Sequence, residues 1–422
     1  MFDKIETKCV QAGYSPKNGE PRALPIFQST TFKYDNSDHM GDIFDMKAEG
    51  HLYSRISNPT NEALAAKIAA VCGGKGAIVT SSGQAATMIS AMTLCGAGDR
   101  ILAASALYGG SLNLFGHTLS GFGVSCDFFD VDADDGEIEK LITPATKAMY
   151  VETIANPSLR VADISRMADI AHRHGMPLVV DNTFATPILC RPIEYGADIV
   201  TISTSKYFDG NGTALGGAVV DSGKFDWNNG RYPMLSKPDE SFHGVSFTEK
   251  FGDLAYIGRA MNAMLRDSGA CASPFNSFII FNNMCSLHVR MERHCKNALA
   301  AAELIKASGK VDAISYPALE GDRYKPLADR YLGSKGSGVV SFDFGTKKQA
   351  SAFLDSLRLA AVVTHVADSH TCALHPAGTT HRQLSDEALK KGGINPGTVR
   401  LSVGLEATED ILEDLSSALA KV

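Results

Sequence analysis

Short apolar runs and amphipathic stretches alternate through the first half of this chain. The runs Ala77–Thr80, Arg100–Ala104, Val124–Phe129, Ala148–Glu152, Leu178–Asp181, Ile199–Ile202 and Ala214–Val220 have the length and β-branched character of buried strands. Between them, Ala85–Leu94, Leu112–Ser120, Glu137–Ile142 and Ile164–Arg173 carry helical spacing. Ahead of them, Asn61–Gly73 reads as a helix, with Asn58 or Thr60 as its cap and Gly73–Gly74 as its stop. Strands alternating with helices predict an α/β fold built on a mostly parallel sheet covered on both faces.

The rhythm fails in two places. Residues 1–60 are polar and turn-rich, with Pro16, Pro21, Pro25 and Pro59 and little periodicity. So long a stretch without a core of its own is expected to lie as an arm over a neighbouring surface. Residues 221–260 mix Gly, Pro and aromatics and predict an irregular insertion. A long helix over Asn276–Ala307 follows, and then mixed elements at Val339–Phe344, Lys347–Leu357, Leu401–Val403 and Glu409–Lys421. The predicted organisation is an arm (1–60), a large α/β domain (61–270) and a smaller C-terminal α/β domain (271–422).

In open α/β sheets ligands bind beyond the carboxyl ends of the strands, so the residues that follow the apolar runs are the candidates for chemistry. Ser81–Ser82–Gly83 joins a strand to a helix start, where free amides and the helix dipole suit a phosphate; an ordinary serine-capped turn is the plainer reading. Asp181 closes the run MPLVVD and needs a cationic or N–H partner if buried, unless it merely caps a helix. Lys206 follows the strand Ile199–Ile202 directly, with Ser203 and Ser205 before it. A lysine there either snorkels to solvent or, with its pKa lowered by burial, forms a Schiff base. Taken together, a phosphate cradle, an acid and an amine between hydroxyls are the parts of a pyridoxal phosphate site, and Tyr108 adds a ring able to stack on it.

Composition narrows the field. The 422 residues carry a net charge of −7 with no basic cluster, which argues against nucleic acid or anionic membrane as a partner. No apolar run is long enough to span a bilayer, and the first residues lack the pattern of a signal peptide. Nine cysteines without a CxxC pair read as reduced thiols, so a cytoplasmic enzyme is expected. Cys285, His288, His294 and Cys295 sit on one predicted helix at spacings a metal site can use, but packing explains them as well, and no metal is expected.

The ordered series QAGY, YSRISNPT, SSGQAA, LYGG, VETIANPS, VVDNTFATP, STSKYFDGNG, RMERH, HPAGTTH and VRLSVGLE resembles the fold-type-I pyridoxal phosphate-dependent enzymes of the Cys/Met metabolism family almost end to end. The resemblance implies that Lys206 holds the cofactor and moves protons, that Asp181 pairs the ring nitrogen, and that Tyr108 stacks on the ring. It further implies that Gly83, Gln84, Ser203 and Ser205 hold the phosphate, and that Asn156 touches the ring oxygen. By the same resemblance Tyr53 and Arg55 reach a neighbour's cofactor, which implies a homodimer of shared sites, paired into a homotetramer. Arg400 is implied as the clamp on the substrate carboxylate.

Within the family, the long N-terminal arm, the 221–260 insertion, LRDSGACASPFNSF and the overall length resemble O-acetylhomoserine sulfhydrylases. The implied reaction is γ-replacement: Lys206 removes the α-proton, a β-proton and acetate leave, and sulfide or a small thiol adds to give homocysteine or methionine. Methionine γ-lyase, cystathionine γ-synthase and cystathionine γ-lyase are the competing activities. Gly110 stands where methionine γ-lyases carry cysteine, two residues after the stacking tyrosine, which counts against that activity. A scaffold that has lost its chemistry is set against the joint retention of Lys206, Asp181, Tyr108 and Arg400. Two departures touch the substrate side: His365 replaces the asparagine or serine of the family pattern, and Gly378 replaces a serine. His365 either binds the substrate carboxylate or titrates near neutral pH, or acts only as a spacer.

Overall fold

The apolar runs assemble into one seven-stranded sheet. In the computed structural model, which describes residues 3–242, 244–382, 387, 389 and 392–422, these strands are β1 (Gly76–Thr80), β2 (Arg100–Ala104), β3 (Ser125–Phe129), β4 (Thr146–Glu152), β5 (Leu178–Asp181), β6 (Ile199–Ile202) and β7 (Gly217–Asp221). Their order is β1-β7-β6-β5-β4-β2-β3. Strands β6, β5, β4, β2 and β3 run parallel, and β7 lies antiparallel to both its neighbours. Val180, Ile199 and Val200 are fully buried, as central strands covered by helices on both faces require.

A second sheet contains β8 (Ala313–Ser315), β9 (Val339–Asp343), β10 (Ala361–Val362), β11 (Cys372–Leu374) and β12 (Thr398–Ser402), in the order β10-β11-β12-β9-β8. It has its own apolar cluster, in which Phe342, Phe353, Val399, Leu401 and Leu415 meet. The helix Leu287–Ala307 joins the two units: Leu287, Met291 and Cys295 pack in the first core, Ala298, Ala301 and Ile305 in the second.

Local chemistry sets the helix ends. Asn58 caps the helix Pro59–Cys72 by accepting from the Thr60 amide, and Gly73 ends it at φ +74°. The hydroxyl of Thr60, the other candidate cap, instead donates to the Pro25 carbonyl and accepts from the Phe27 amide, tying the N-terminal arm down. On Ile164–Arg173, Asp163 caps the first turn, and His172 and Arg173 sit at the negative end of the dipole.

Within the arm two short helices form, Ile5–Gln11 and Ser37–Phe44, and Cys9 is completely buried against the main core. Three sequence expectations need correction. The last strand starts at Gly217, not Ala214, because the Ser205 hydroxyl bonds both the amide and the carbonyl of Gly216 and withdraws them from the ladder. The stretch Leu112–Ser120 is not one regular helix; a short α-turn over Gly109–Asn113 passes into a wide turn (Leu114–Thr118) and a tight one (Leu119–Phe122). The long helix divides at Met284–Ser286, where the Asn283 carbonyl accepts from Ser286 Oγ and Arg290 Nη2. In the insertion, short helical turns surround a buried aromatic cluster of Trp227, Tyr232 and Tyr256.

Candidate active site

A cavity of about 760 Å³ opens at the carboxyl ends of β1, β4, β5 and β6, where the free ends of a parallel sheet collect ligands. Gly83, Gln84, Tyr108, Asn156, Asp181, Ser203, Ser205, Lys206, His365 and Arg400 all line it. These residues come from both units of the chain.

Lys206 sits in the turn that leaves β6, its amide bonded to the Ser203 carbonyl. Burial, with the Arg400 guanidinium adding to it, brings its ammonium down to about 8. Its Nζ stands 3.3 Å from His365 Nδ1.

Below it, β4 and β5 end in two acids that are register partners, Glu152 and Asp181. Asp181 accepts from the Thr183 amide at 2.9 Å and from the Tyr150 hydroxyl at 3.4 Å. Glu152 accepts from the amides of Tyr108 (2.7 Å) and Asn156 (2.9 Å). Burial raises both carboxyls, and the charge of Asp181 raises Glu152 further. Neither forms an ion pair among the described residues, so the floor of the cavity holds acid without a cation.

At the end of β1, Ser82 caps the helix Gly83–Met92 through the Ala85 amide. The amides of Gly83 and Gln84 therefore lie outside the helical ladder, at its positive end. Gly83 packs so close that a Cβ there would stand 2.5 Å from Ser203 Cβ, so only glycine lets helix start and Ser203 form one surface. Ser205 is buried with its hydroxyl engaged by Gly216, whereas Ser203 Oγ has no hydrogen bond among the described residues.

Tyr108 is 43% exposed, and its ring lies over Gly110, where a Cβ would stand 2.4 Å from its Cε1. Gln84 Nε2 donates to the Gly110 carbonyl and supports the same turn. From the second unit, alternation along β12 sends Val399 and Leu401 into their own core and Arg400 the opposite way, into the cavity. Arg400 is buried; Nη1 donates to Asn156 Oδ1 (3.1 Å) and Nη2 to the His365 carbonyl (3.0 Å), while Nε has no partner among the described residues.

Two expected residues lie elsewhere. Tyr53 and Arg55 line a separate hollow with Ser273 and Pro274, the Arg55 guanidinium 5.5 Å from the Tyr53 ring centre and bonded to the Arg266 carbonyl. Gly378 is outside the cavity, its missing side chain leaving room for the His375 ring. Of the metal-spaced residues, His294 Nδ1 meets the Val403 carbonyl while Cys285 accepts from Lys67. Glu152 carries no role in the sequence expectations, although it closes the apolar run AMYVE just as Asp181 closes LVVD.

A family model described as Cys/Met metabolism PLP-dependent enzyme matches residues 6–420. The chain is 41% identical over 422 residues to a homocysteine synthase of Schizosaccharomyces pombe, covering 99% of this chain and 98% of the other. It is 39% identical over 423 residues to O-acetyl-L-homoserine sulfhydrylase 1 of Thermus thermophilus, covering 99% and 100%. A solved structure from Campylobacter jejuni, assigned as an O-acetylhomoserine (thiol)-lyase and carrying N'-pyridoxyl-lysine-5'-monophosphate, superposes with a TM-score of 0.96 at 35% identity over 99% of each chain.

Proposed function

The chain belongs to the Cys/Met metabolism PLP-dependent enzyme family, and on that footing we propose that the cavity around Lys206 performs γ-replacement on O-acetylhomoserine. Sulfide, or a small thiol, takes the place of acetate at Cγ, giving homocysteine or methionine. The observation that carries this reading is one buried arginine with an unpartnered Nε, Arg400, in the same cavity as an amine whose pKa is near 8.

The residues fit pyridoxal phosphate. Two adjacent acids without a cation among the described residues suit a protonated ring nitrogen, and the pairing role goes to Asp181. The amides of Gly83 and Gln84 and the hydroxyl of Ser203 suit the phosphate, with Ser205 shaping the turn beside them. Lys206 supplies the amine for the aldehyde, Tyr108 a face for the ring, and Asn156 a contact at its edge. When bound, the cofactor supplies an electron-accepting ring that stabilises negative charge at Cα.

The remaining work falls to the chain. Arg400 grips the substrate carboxylate with a planar, permanently charged fork, and His365 lines the same subsite. That grip orients the Cα–H bond toward Lys206 Nζ, which removes and returns the proton. An amine with pKa near 8 is neutral often enough at physiological pH to do so. Tyr53 and Arg55, with the arm 1–60, serve the phosphate of a neighbouring subunit, so the working unit is a homodimer, paired into a homotetramer in the cytoplasm.

The test is parallel turnover of O-acetylhomoserine with sulfide, of methionine alone and of cystathionine alone, following homocysteine and 2-oxobutyrate. Sulfide-dependent homocysteine with little oxoacid supports the reading. Dominant oxoacid release without sulfide would replace it with a γ-lyase.

A further inference from the structure

Lys67 is a fully buried amine outside the cavity, on the helix Pro59–Cys72, and it forms no ion pair among the described residues. A lone ammonium is costly in such a place, and nothing in the chemistry around Lys206 makes use of it. Its Nζ donates to the Phe281 carbonyl at 3.1 Å and to Cys285 Sγ at 3.4 Å, and it stands 3.6 Å from the centre of the Phe281 ring. These contacts hold the nitrogen against the sulfur, close enough that one oxygen atom fills the gap.

The N-terminal arm seals the amine from water. Gly13 lies so near the lysine stem that a Cβ there would stand 2.8 Å from Lys67 Cβ. Cys9, on the helix Ile5–Gln11, is completely buried in the same cluster. Burial lowers the Lys67 pKa and pushes the Cys9 thiol up to about 11, so Cys9 stays protonated. Cys285 differs, being only half-buried, beside the exposed Asn282 and Ser286 and near Val289, itself 51% exposed. A small oxidant in solvent therefore meets Cys285 first, with Lys67 directly behind it.

Cys285 lies in the break Met284–Ser286, which supports the turn carrying Lys206. Asn283 Nδ2 donates to Asp209 Oδ1. Arg290, whose Nε donates to Ser286 Oγ, also donates to the carbonyls of Tyr207 and Phe208. A bond made at Cys285 thus acts on the segment that props the catalytic turn.

We propose that Lys67 and Cys285 are a peroxide-sensitive pair that closes into a covalent N–O–S link between the helix Pro59–Cys72 and this break. The thiolate is the reactive form of the sulfur, and its proton passes to the amine along their hydrogen bond. The thiolate attacks hydrogen peroxide: S–O forms, O–O breaks, and the hydroxide leaves as water with the ammonium's proton. A sulfenic acid then faces a neutral amine. The amine attacks a second peroxide in the same way, forming N–O and releasing water. The new N–OH oxygen finally displaces hydroxide from the sulfenic sulfur, which departs as water with the N–OH proton. Two peroxides take up four electrons, two from sulfur and two from nitrogen, and three waters form.

The experiment exposes the holoenzyme to hydrogen peroxide, stops it with catalase, digests without reductant and reads the peptides by mass spectrometry. The expected product joins the Lys67 and Cys285 peptides with a gain of about 14 Da, one oxygen in and two hydrogens out. Dithiothreitol should restore both free peptides. Cys9→Ser should give the same product and Cys285→Ser none. Cys285 oxygenated without a link, a Cys9–Cys285 disulfide, or an unmodified Cys285 would each overturn the proposal, as would loss of the link in Cys9→Ser. The wild-type digest decides by itself if a variant fails to fold.

Discussion

Glu152 and Asp181 end neighbouring parallel strands as register partners, two carboxyls held side by side with backbone amides as partners and no cation between them among the described residues. Each raises the cost of ionising the other. The arrangement makes sense when a positive charge arrives with a ligand, and it costs stability until then.

Asp181→Asn should therefore move two properties in opposite directions. Cofactor affinity should fall by about 10²-fold or more, since breaking a buried ion pair costs about 3–5 kcal/mol. The cofactor-free protein should melt at a higher temperature near neutral pH, where ionising the native carboxyls costs more than ionising the unfolded ones. Raised pKa values mean that stability is lost as pH rises from the ordinary carboxylate range upward, so the gain should shrink in acid. Equilibrium dialysis and calorimetry over a pH series check both halves.

Cofactor capture should report the lowered pKa of Lys206. Only the neutral amine attacks an aldehyde, so uptake of pyridoxal phosphate by the cofactor-free protein should quicken with rising pH and level off above about 8. A rate still climbing toward pH 10, as for a lysine in water, would contradict this. Stopped-flow absorbance gives the profile.

For Arg400→Lys, KM for O-acetylhomoserine should rise by about 10–100-fold with a smaller change in kcat. Lysine keeps the charge but loses the fork, and a charge-assisted hydrogen bond is worth about 1.5–3 kcal/mol. Steady-state kinetics with sulfide held in excess separates the two constants.

Shared sites would show in mixed oligomers. Arg55→Ala and Lys206→Ala should each be nearly inactive alone. Refolded together in equal amounts, they should recover about a quarter of wild-type activity, because half the dimers are mixed and each holds one intact site. No recovery on mixing would confine Tyr53 and Arg55 to their own subunit.

Much of this was legible along the chain. Leu178–Asp181 and Ile199–Ile202 show in the sequence as strands with the ends the structure gives them, since a strand buried on both faces is an unbroken apolar run. Their carboxyl ends then pointed to Asp181 and Lys206. Two of the differences, the start of β7 and the break in the long helix, share a cause in side chains that compete for backbone groups. Ser205 takes both polar groups of Gly216, and Ser286 with Arg290 takes the Asn283 carbonyl, and periodicity carries no trace of either.

What the sequence determined by itself is the local part: which segments become strands, where helices start, and which residues stand at the catalytic edge of the main sheet. Hydrophobic period and capping depend on neighbours a few residues away, so they can be read without the fold. Only the tertiary structure joined Arg400 to Asn156, 244 positions apart, and His365 to Lys206, 159 apart. Those contacts exist because the second sheet packs with the polar face of β12 toward the first, and the side to which a strand turns its alternate residues is fixed by what packs against it.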